Sequence, residues 1–312
     1  MGDESKIRMP ESEAFWDFYW EVRLQELQNL GKRAAILAAS RLVRQLAARP
    51  DQAVRLLELG CGEGQIIGSL VEGHSAVRGI DRSVGVDYIP AVVETCRKRY
   101  PGMRFVGGDF TDPALLEGLG NFEILLLVNA LHEVFTAGFS SALGEIDTPA
   151  AKQRAQRALA GAVQRLVPGG YLVLFDGLEM EGDISAPLRI HFLNRQARTH
   201  FATFVREYHP FRITFREVDG PNHVELSRRD FTRYITKSIF LGKALWRTEQ
   251  LESYQYFNQT EFRAAVTGLG LEIRELRTLT VDEEKWSGLV EIETPGAHFP
   301  EEHILIVAQK PK

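Results

Sequence analysis

The chain has 312 residues, 44% hydrophobic and 25% charged, with a formal net charge of -5. That length allows one large core or two unequal ones, and the mild acidity argues against a general nucleic-acid binder. Two cysteines, Cys61 and Cys96, exclude a disulfide framework and a cysteine metal cluster and make a reducing cytoplasm the expected compartment. The polar start Met1-Gly2-Asp3-Glu4-Ser5-Lys6 does not read as a signal peptide, and no apolar run is long enough to span a membrane.

In chain order, residues 11–49 read as helical. Phe15, Trp16, Phe18, Tyr19 and Leu24 precede an Ala- and Leu-rich stretch that Arg49-Pro50-Asp51 ends, because proline opposes helix at the residue before it. Strand and helix then alternate, the signature of a parallel sheet covered on both faces. Strands are expected at 54–59, 77–81, 103–106, 122–128 and 170–175, with helices at 65–72, 87–99, 113–118 and 150–166. The unbroken apolar run from Ile124 to Val128 suits a central strand, and Val167-Pro168-Gly169-Gly170 is a turn ahead of the fifth strand. Alternation stops between Gly177 and about Gln259, in a polar, aromatic stretch. A helix from Thr260 to Thr267 and strands at 271–279 and 303–309 close the chain.

The most informative run is Glu58-Leu59-Gly60-Cys61-Gly62-Glu63-Gly64. A strand enters an acid and then three glycines at alternate positions, before the helical spacing of Ile66, Ile67, Leu70 and Val71. Strand, glycine loop and helix N-terminus together suit a nucleotide-like ligand. The glycine spacing fails the dinucleotide fingerprint, whose third glycine would fall on Gln65 or Ile67. A glycine turn in some other α/β protein is the bland reading. The run resembles the first motif of the class I S-adenosylmethionine-dependent methyltransferases.

The resemblance implies an α/β fold: a doubly wound, mostly parallel seven-stranded sheet (the Rossmann-like methyltransferase fold). N-terminal helices and a helical, aromatic cap between strands five and six would be added to it. The expected division is a helical lid over 1–50, the cofactor-binding core over 51–176, an inserted substrate cap over 177–259, and completion of the sheet over 260–312. The implied cofactor is S-adenosylmethionine, with S-adenosylhomocysteine as product. Glu58 would contact its methionine end, beside the backbone of Gly60, Cys61, Gly62 and Gly64. Asp81, which ends Val77-Arg78-Gly79-Ile80-Asp81 23 positions after Glu58, would hold the ribose. Asp109 and Phe110 would hold the adenine, and Asn129 belongs to the same pocket. Ser83-Val84-Gly85-Val86-Asp87 is looser than the family's turn after the ribose acid. Tyr19 is a candidate to close over the cofactor, although an aromatic helix face is more often core.

The fourth strand ends in Asn129-Ala130-Leu131-His132-Glu133, at the edge where open parallel sheets bind ligands. His132 is the candidate general base, with Glu133 orienting it or contacting substrate. The alternative is a buried His132 bonded to backbone and a capping Glu133. The Asn/Asp-Pro-Pro-aromatic tetrad of many amide and base methylases is missing there, which favours a small-molecule acceptor, first a hydroxyl.

From Pro187 to Arg247 stand twelve Lys or Arg against five Asp or Glu, an excess of seven positive charges, interleaved with aromatics. This suits a lid over an apolar or aromatic substrate carrying an anion, or a cap whose arginines pair with acids. His191, His200, His209 and His223 lack close ligand spacing, so no metal is expected. The partners expected are a small-molecule substrate and no membrane, with nucleic acid disfavoured but left open and a homodimer possible. Activity on RNA or a carrier-bound substrate, or S-adenosylmethionine binding without catalysis, are the competing readings.

Overall fold

The computed structural model describes residues 30–49, 52–280 and 286–312. Phe15, Trp16, Tyr19 and Trp20, and with them most of the expected lid, lie outside the described residues. The first described helix, α1 (Leu30–Ala47), buries Ala35, Ala38, Ala39, Leu42, Val43 and Leu46 at helical spacing.

The core then runs β1 (Leu56–Leu59), α2 (Gln65–Gly73), β2 (Val84–Asp87), α3 (Pro90–Arg99), β3 (Arg104–Gly107), α4 (Pro113–Glu117), β4 (Phe122–Val128), α5 (Leu131–Thr136), α6 (Thr148–Val163) and β5 (Leu166–Gly177). It is followed by β6 (Pro187–Phe192), α7 (Arg195–Glu207), β7 (Phe215–Glu217), β8 (His223–Ser227), α8 (Arg228–Lys237) and α9 (Trp246–Glu249). The chain closes with α10 (Gln259–Gly268), β9 (Glu272–Thr280), β10 (Val290–Ile292) and β11 (Glu301–Gln309). Local chemistry sets several starts. Asp112 and Asp147 accept from Ala114 and Ala150 backbone N–H at the heads of α4 and α6, and Asn258 and Glu261 form a capping box on α10.

Seven strands make one sheet in the order β9-β11-β5-β4-β1-β2-β3. The five from β5 to β3 are parallel, and β11 runs antiparallel to both of its neighbours. All seven residues of β4 are buried, as its apolar run requires of a strand covered on both faces. The chain leaves β1 toward β2 and β3, then returns to place β4 on the other side of β1. This reversal opens a crevice at the carboxyl ends of β1 and β4.

Three expectations are corrected. The second strand is not 77–81. Gly79 adopts φ +84° and Ile80–Arg82 is a single 3₁₀ turn, so the strand starts only at Val84. The Ser83 hydroxyl accepts from Leu56 N–H at 3.0 Å, which ties this start to β1. Both Val77–Asp81 and Val84–Asp87 are short strings ending in an acid, and only the second has an alternation that pairs with β1.

Residues 177–259, expected to form a helical cap, hold strands as well as helices. Strands β6, β8 and β7 form an antiparallel sheet whose outer strand β10 comes from the later segment between β9 and β11. Leu188, Ile190, Phe192, Val224 and Leu226 alternate inward, where they meet α7 and α8 through Phe201, Phe204, Phe231 and Tyr234. Finally, His191 and His223, which sequence spacing keeps far apart, are directly paired neighbours across β6 and β8.

Candidate active site

The glycine loop leaves β1 at the carboxyl edge of the sheet. Gly60 and Gly64 both adopt φ +71°, a conformation costly for residues with a side chain. A Cβ on Gly60 would sit 2.6 Å from the Ala130 Cβ, so the loop and the end of β4 approach backbone to backbone. Two buried carboxylates hold the loop from either side. Glu58 Oε2 accepts from Ile67 N–H at 3.0 Å, at the head of α2. Asp87 Oδ2 accepts from Gly62 N–H at 2.9 Å while its Oδ1 accepts from Ile89 N–H at 3.0 Å. Burial pushes the Glu58 carboxyl up to about 8; the Ile67 N–H opposes this and nearby Asp87 adds to it.

Asp81 is the candidate the structure moves away. It is exposed, in the turn that precedes β2, and therefore lies at the amino edge of the parallel sheet, opposite the glycine loop. Asp87 ends the same strand at the carboxyl edge and touches the loop. Asp109 is exposed just after β3 at that edge, with Oδ1 accepting from Thr111 N–H at 2.8 Å, and Phe110 beside it is buried. Cys61 is buried, its backbone N–H donating to Val86 O. Asn129 holds a left-handed φ of +52° at the end of β4. Its N–H donates to Phe175 O, whereas its side-chain Oδ1 is buried without a hydrogen-bond partner.

His132 is entirely buried, at the start of α5. Its Nδ1 lies 2.7 Å from Asp176 Oδ1, and its Nε2 lies 3.7 Å from Glu252 Oε2. Asp176, near the end of β5, also accepts from the N–H groups of Leu131, His132 and Gly177. Burial alone would lower the His132 pKa, but Asp176 and then Glu252 override it and hold it up at about 9. Both ring nitrogens of His132 thus face carboxylates, an arrangement that favours the protonated ring and speaks against the expected role of free general base. Glu133, next on α5, is half-buried.

The cap reaches this site through the buried strap Ser253–Phe257. Ser253 N–H donates to Thr136 Oγ1, Glu179 N–H donates to Phe257 O, and the Tyr254 ring meets the His132 ring edge-on at 4.4 Å. Gly177 is needed here, since any Cβ would strike the Tyr254 backbone. Lys237 Nζ, fully buried, lies 2.5 Å from Glu249 Oε2 and 3.5 Å from Glu252 Oε2, above the Tyr254 ring. Tyr88, following Asp87, has its hydroxyl pKa raised by desolvation and then by the carboxylates of Glu133, Asp87, Glu252 and Asp109.

Asp87, Tyr88, Asp176, Glu252 and Lys237 are missing from the sequence reading of the site. Val84-Gly85-Val86-Asp87 and Leu174-Phe175-Asp176 each carry a legible signal, an apolar run ending in an acid. Glu252 and Lys237 carry none. Part of the basic character of this segment is taken up in ion pairs: Arg198–Glu217, Arg216–Glu225, Arg229–Glu179, Arg233–Asp230 and Lys237–Glu249. Among the described residues no helix is long and apolar enough to cross a membrane.

Residues 57–174, which run from β1 to β5 and hold the glycine loop, match the family model of the methyltransferase domain. This segment, a little over a third of the chain, is a methyltransferase domain of the S-adenosylmethionine-dependent kind. No curated protein matches the sequence.

Three solved structures illustrate the likeness. An O-methyltransferase family protein from Burkholderia thailandensis is 13% identical over 90% of this chain, with a TM-score of 0.43; the chain spans 58% of its length. An S-adenosylmethionine-dependent methyltransferase from Mesorhizobium loti is 15% identical over 88% of this chain and 97% of its own, with a TM-score of 0.44. The sugar N-methyltransferase KedS8 from Streptoalloteichus sp. ATCC 53650 is 15% identical over 100% of this chain and 98% of its own, with a TM-score of 0.46.

Proposed function

We propose that this methyltransferase acts on a small-molecule acceptor, neutral or cationic, through a hydroxyl or an amine at the mouth formed by Glu133, Glu252 and Tyr88. The observation that carries the reading is the carboxylate of Glu252, delivered by the cap to 3.7 Å from His132 Nε2 beside the end of β4.

The residues present fit S-adenosylmethionine. Positive-φ glycines form a cradle that side chains would fill, and the buried Asn129 Oδ1 lacks a protein donor. The loop Gly60–Gly64 with Glu58 would hold its methionine end, Asp87 its ribose, and Asp109 with Phe110 its adenine. When bound, the cofactor supplies an electrophilic sulfonium methyl group. The chain's own work is then to align the acceptor for in-line displacement and to take its proton.

In this reading Glu252 or Glu133 receives that proton, because both ring nitrogens of His132 are directed at the carboxylates of Asp176 and Glu252. His132, fixed by Asp176, positions Glu252. Two carboxylates at the acceptor mouth disfavour the anionic acceptor that the basic cap first suggested, and the internal pairing of the cap arginines counts against an RNA-tracking surface. The lid over 1–50 and the cap over 177–259 remain proposals, the latter with 286–300 added to it.

The test is a turnover screen by S-adenosylhomocysteine release, over hydroxylated and amine acceptors of neutral, positive and negative charge. Turnover on neutral or cationic acceptors, falling at least tenfold in Glu252→Gln with S-adenosylmethionine affinity kept, supports the reading. Turnover confined to anionic acceptors or RNA, or unaffected by the substitution, overturns it.

A further inference from the structure

We infer that the outer face of the cap sheet holds a divalent transition-metal site built from His191, His223 and Glu293. His191 on β6 and His223 on β8 are directly opposed in register, and antiparallel pairing puts their side chains on the same face. Ile190, Val224 and Leu226 alternate to the other face and are buried in the cap core, so the two imidazoles stand on the solvent side. Their rings are stacked at 4.1 Å with an interplanar angle of 1°. Glu291 opposes His191 from the other side, on β10, and Glu293 follows two residues later.

One ligating atom from each of His191, His223 and Glu293 lies within 4.8 Å of the others, and all three side chains are roughly one-quarter to one-third exposed. Glu293 Oε1 lies 2.8 Å from His223 Nδ1, while its Oε2 is buried with no hydrogen bond and is 3.9 Å from Arg189 Nε. Glu291 Oε2, 3.5 Å from His191 Nδ1, is placed to orient that ring or to supply a fourth ligand. A shallow depression of about 420 Å³ on the same face, lined in part by Arg189, Glu225 and Glu293, gives solvent access.

The stack sets the two rings side by side on one face, with Glu293 against the His223 ring and Glu291 against the His191 ring. Two histidine nitrogens and a carboxylate, with a position left for water, are the donor set of Zn²⁺ or Co²⁺ rather than of Mg²⁺ or Ca²⁺. Glu293 stands 70 residues beyond His223 and farther still beyond His191. Such an ion would therefore staple β6 and β8 to the later segment that carries β10, fastening the cap sheet without entering the methyl-transfer site.

The probes are Zn²⁺ and Co²⁺ added to metal-stripped full-length protein. Calorimetry is expected to give one Zn²⁺ site per chain with a dissociation constant in the micromolar range or tighter. Co²⁺ is expected to give a visible d–d band of four- or five-coordinate character, and Zn²⁺ to raise the melting temperature where Mg²⁺ does not. His191→Gln and His223→Gln, both on the surface face, should each weaken binding at least tenfold while the protein keeps its circular dichroism and its S-adenosylmethionine affinity. Absence of saturable Zn²⁺ binding overturns the inference, and so does binding that survives unchanged in the double variant.

Discussion

His132 Nδ1 and Asp176 Oδ1 stand 2.7 Å apart with both side chains wholly out of solvent. The pair joins the start of α5 to the end of β5 and fixes the orientation of the ring that Glu252 approaches. Its pH signature follows from linkage. The His132 pKa is raised in the fold, to about 9, so its stabilisation is full below the unfolded value near 6.5 and is lost as pH rises through about 9. A shift of that size corresponds to about 3 kcal/mol. Glu58, raised to about 8, acts with the same sign between its unfolded value and pH 8. Melting temperature should therefore fall from pH 6.5 to 9, and less steeply in His132→Gln. Parallel pH profiles for the two proteins would show that the ring is not charged in the fold.

His303 works in the opposite direction. It is half-buried, stacks on Phe175 at 5.1 Å, and has its pKa lowered to about 4, by desolvation first. A depressed pKa contributes stability above the unfolded value that is lost as pH falls from about 6.5 to 4, again about 3 kcal/mol. His303→Gln should lose less stability than the wild type on acidification over that window, as read by urea unfolding at pH 7 and pH 5.

Asp87 and Asp81 separate two readings of the ribose site. Asp87→Ala removes the acceptor of Gly62 and Ile89 N–H, and should weaken S-adenosylmethionine binding at least tenfold by calorimetry. Asp81→Ala, exposed at the far edge of the sheet, should leave affinity within twofold. The opposite ranking would return the role to Asp81.

These residues also mark how far the sequence can be read. The glycine loop, β4 and the closing strands were legible because each depends on a local pattern: alternating glycines, an unbroken apolar run, a helix followed by a turn. The register of β2 was not, because two strings of similar composition stand six residues apart and only pairing with β1 distinguishes them. Asp176 was within reach, as an acid ending an apolar strand at the ligand-binding edge. Glu252 and Lys237 were not, since their place at the site depends on a strap that crosses the end of β5, a tertiary contact without local periodicity. The cap misled by composition. Arg198, Arg216 and Arg233 pair with acids of the same stretch, and Arg229 and Lys237 with Glu179 and Glu249 outside it, so part of the basic surplus that composition suggested as a substrate-facing feature is tied up in ion pairs.

Gly60 tests the close approach of loop and strand. Alanine there must take φ +71°, which costs about 1–2 kcal/mol for an L-residue, and its Cβ would press on Ala130 at 2.6 Å. Gly60→Ala should lower stability by more than the conformational cost alone and abolish measurable S-adenosylmethionine binding. Gly182, at φ +83° with open space around a Cβ, serves as control: Gly182→Ala carries the conformational cost without the overlap, and without loss of binding.

Lys237 and Glu249 test what fastens the cap to the site. Their 2.5 Å pair is buried on both sides, and the Tyr254 hydroxyl donates to the same Glu249 oxygen at 2.9 Å. Removing one partner strands the other in a low-dielectric interior, so Lys237→Met should cost about 3–5 kcal/mol. Removing both replaces two desolvated charges by packing, so Lys237→Met with Glu249→Leu should recover most of that loss in urea unfolding. The double variant would still lack the cation beside Glu252. Its restored fold combined with weakened turnover would assign Lys237 a positioning role at the acceptor mouth, whereas restored fold and full turnover would confine the pair to holding the cap in place.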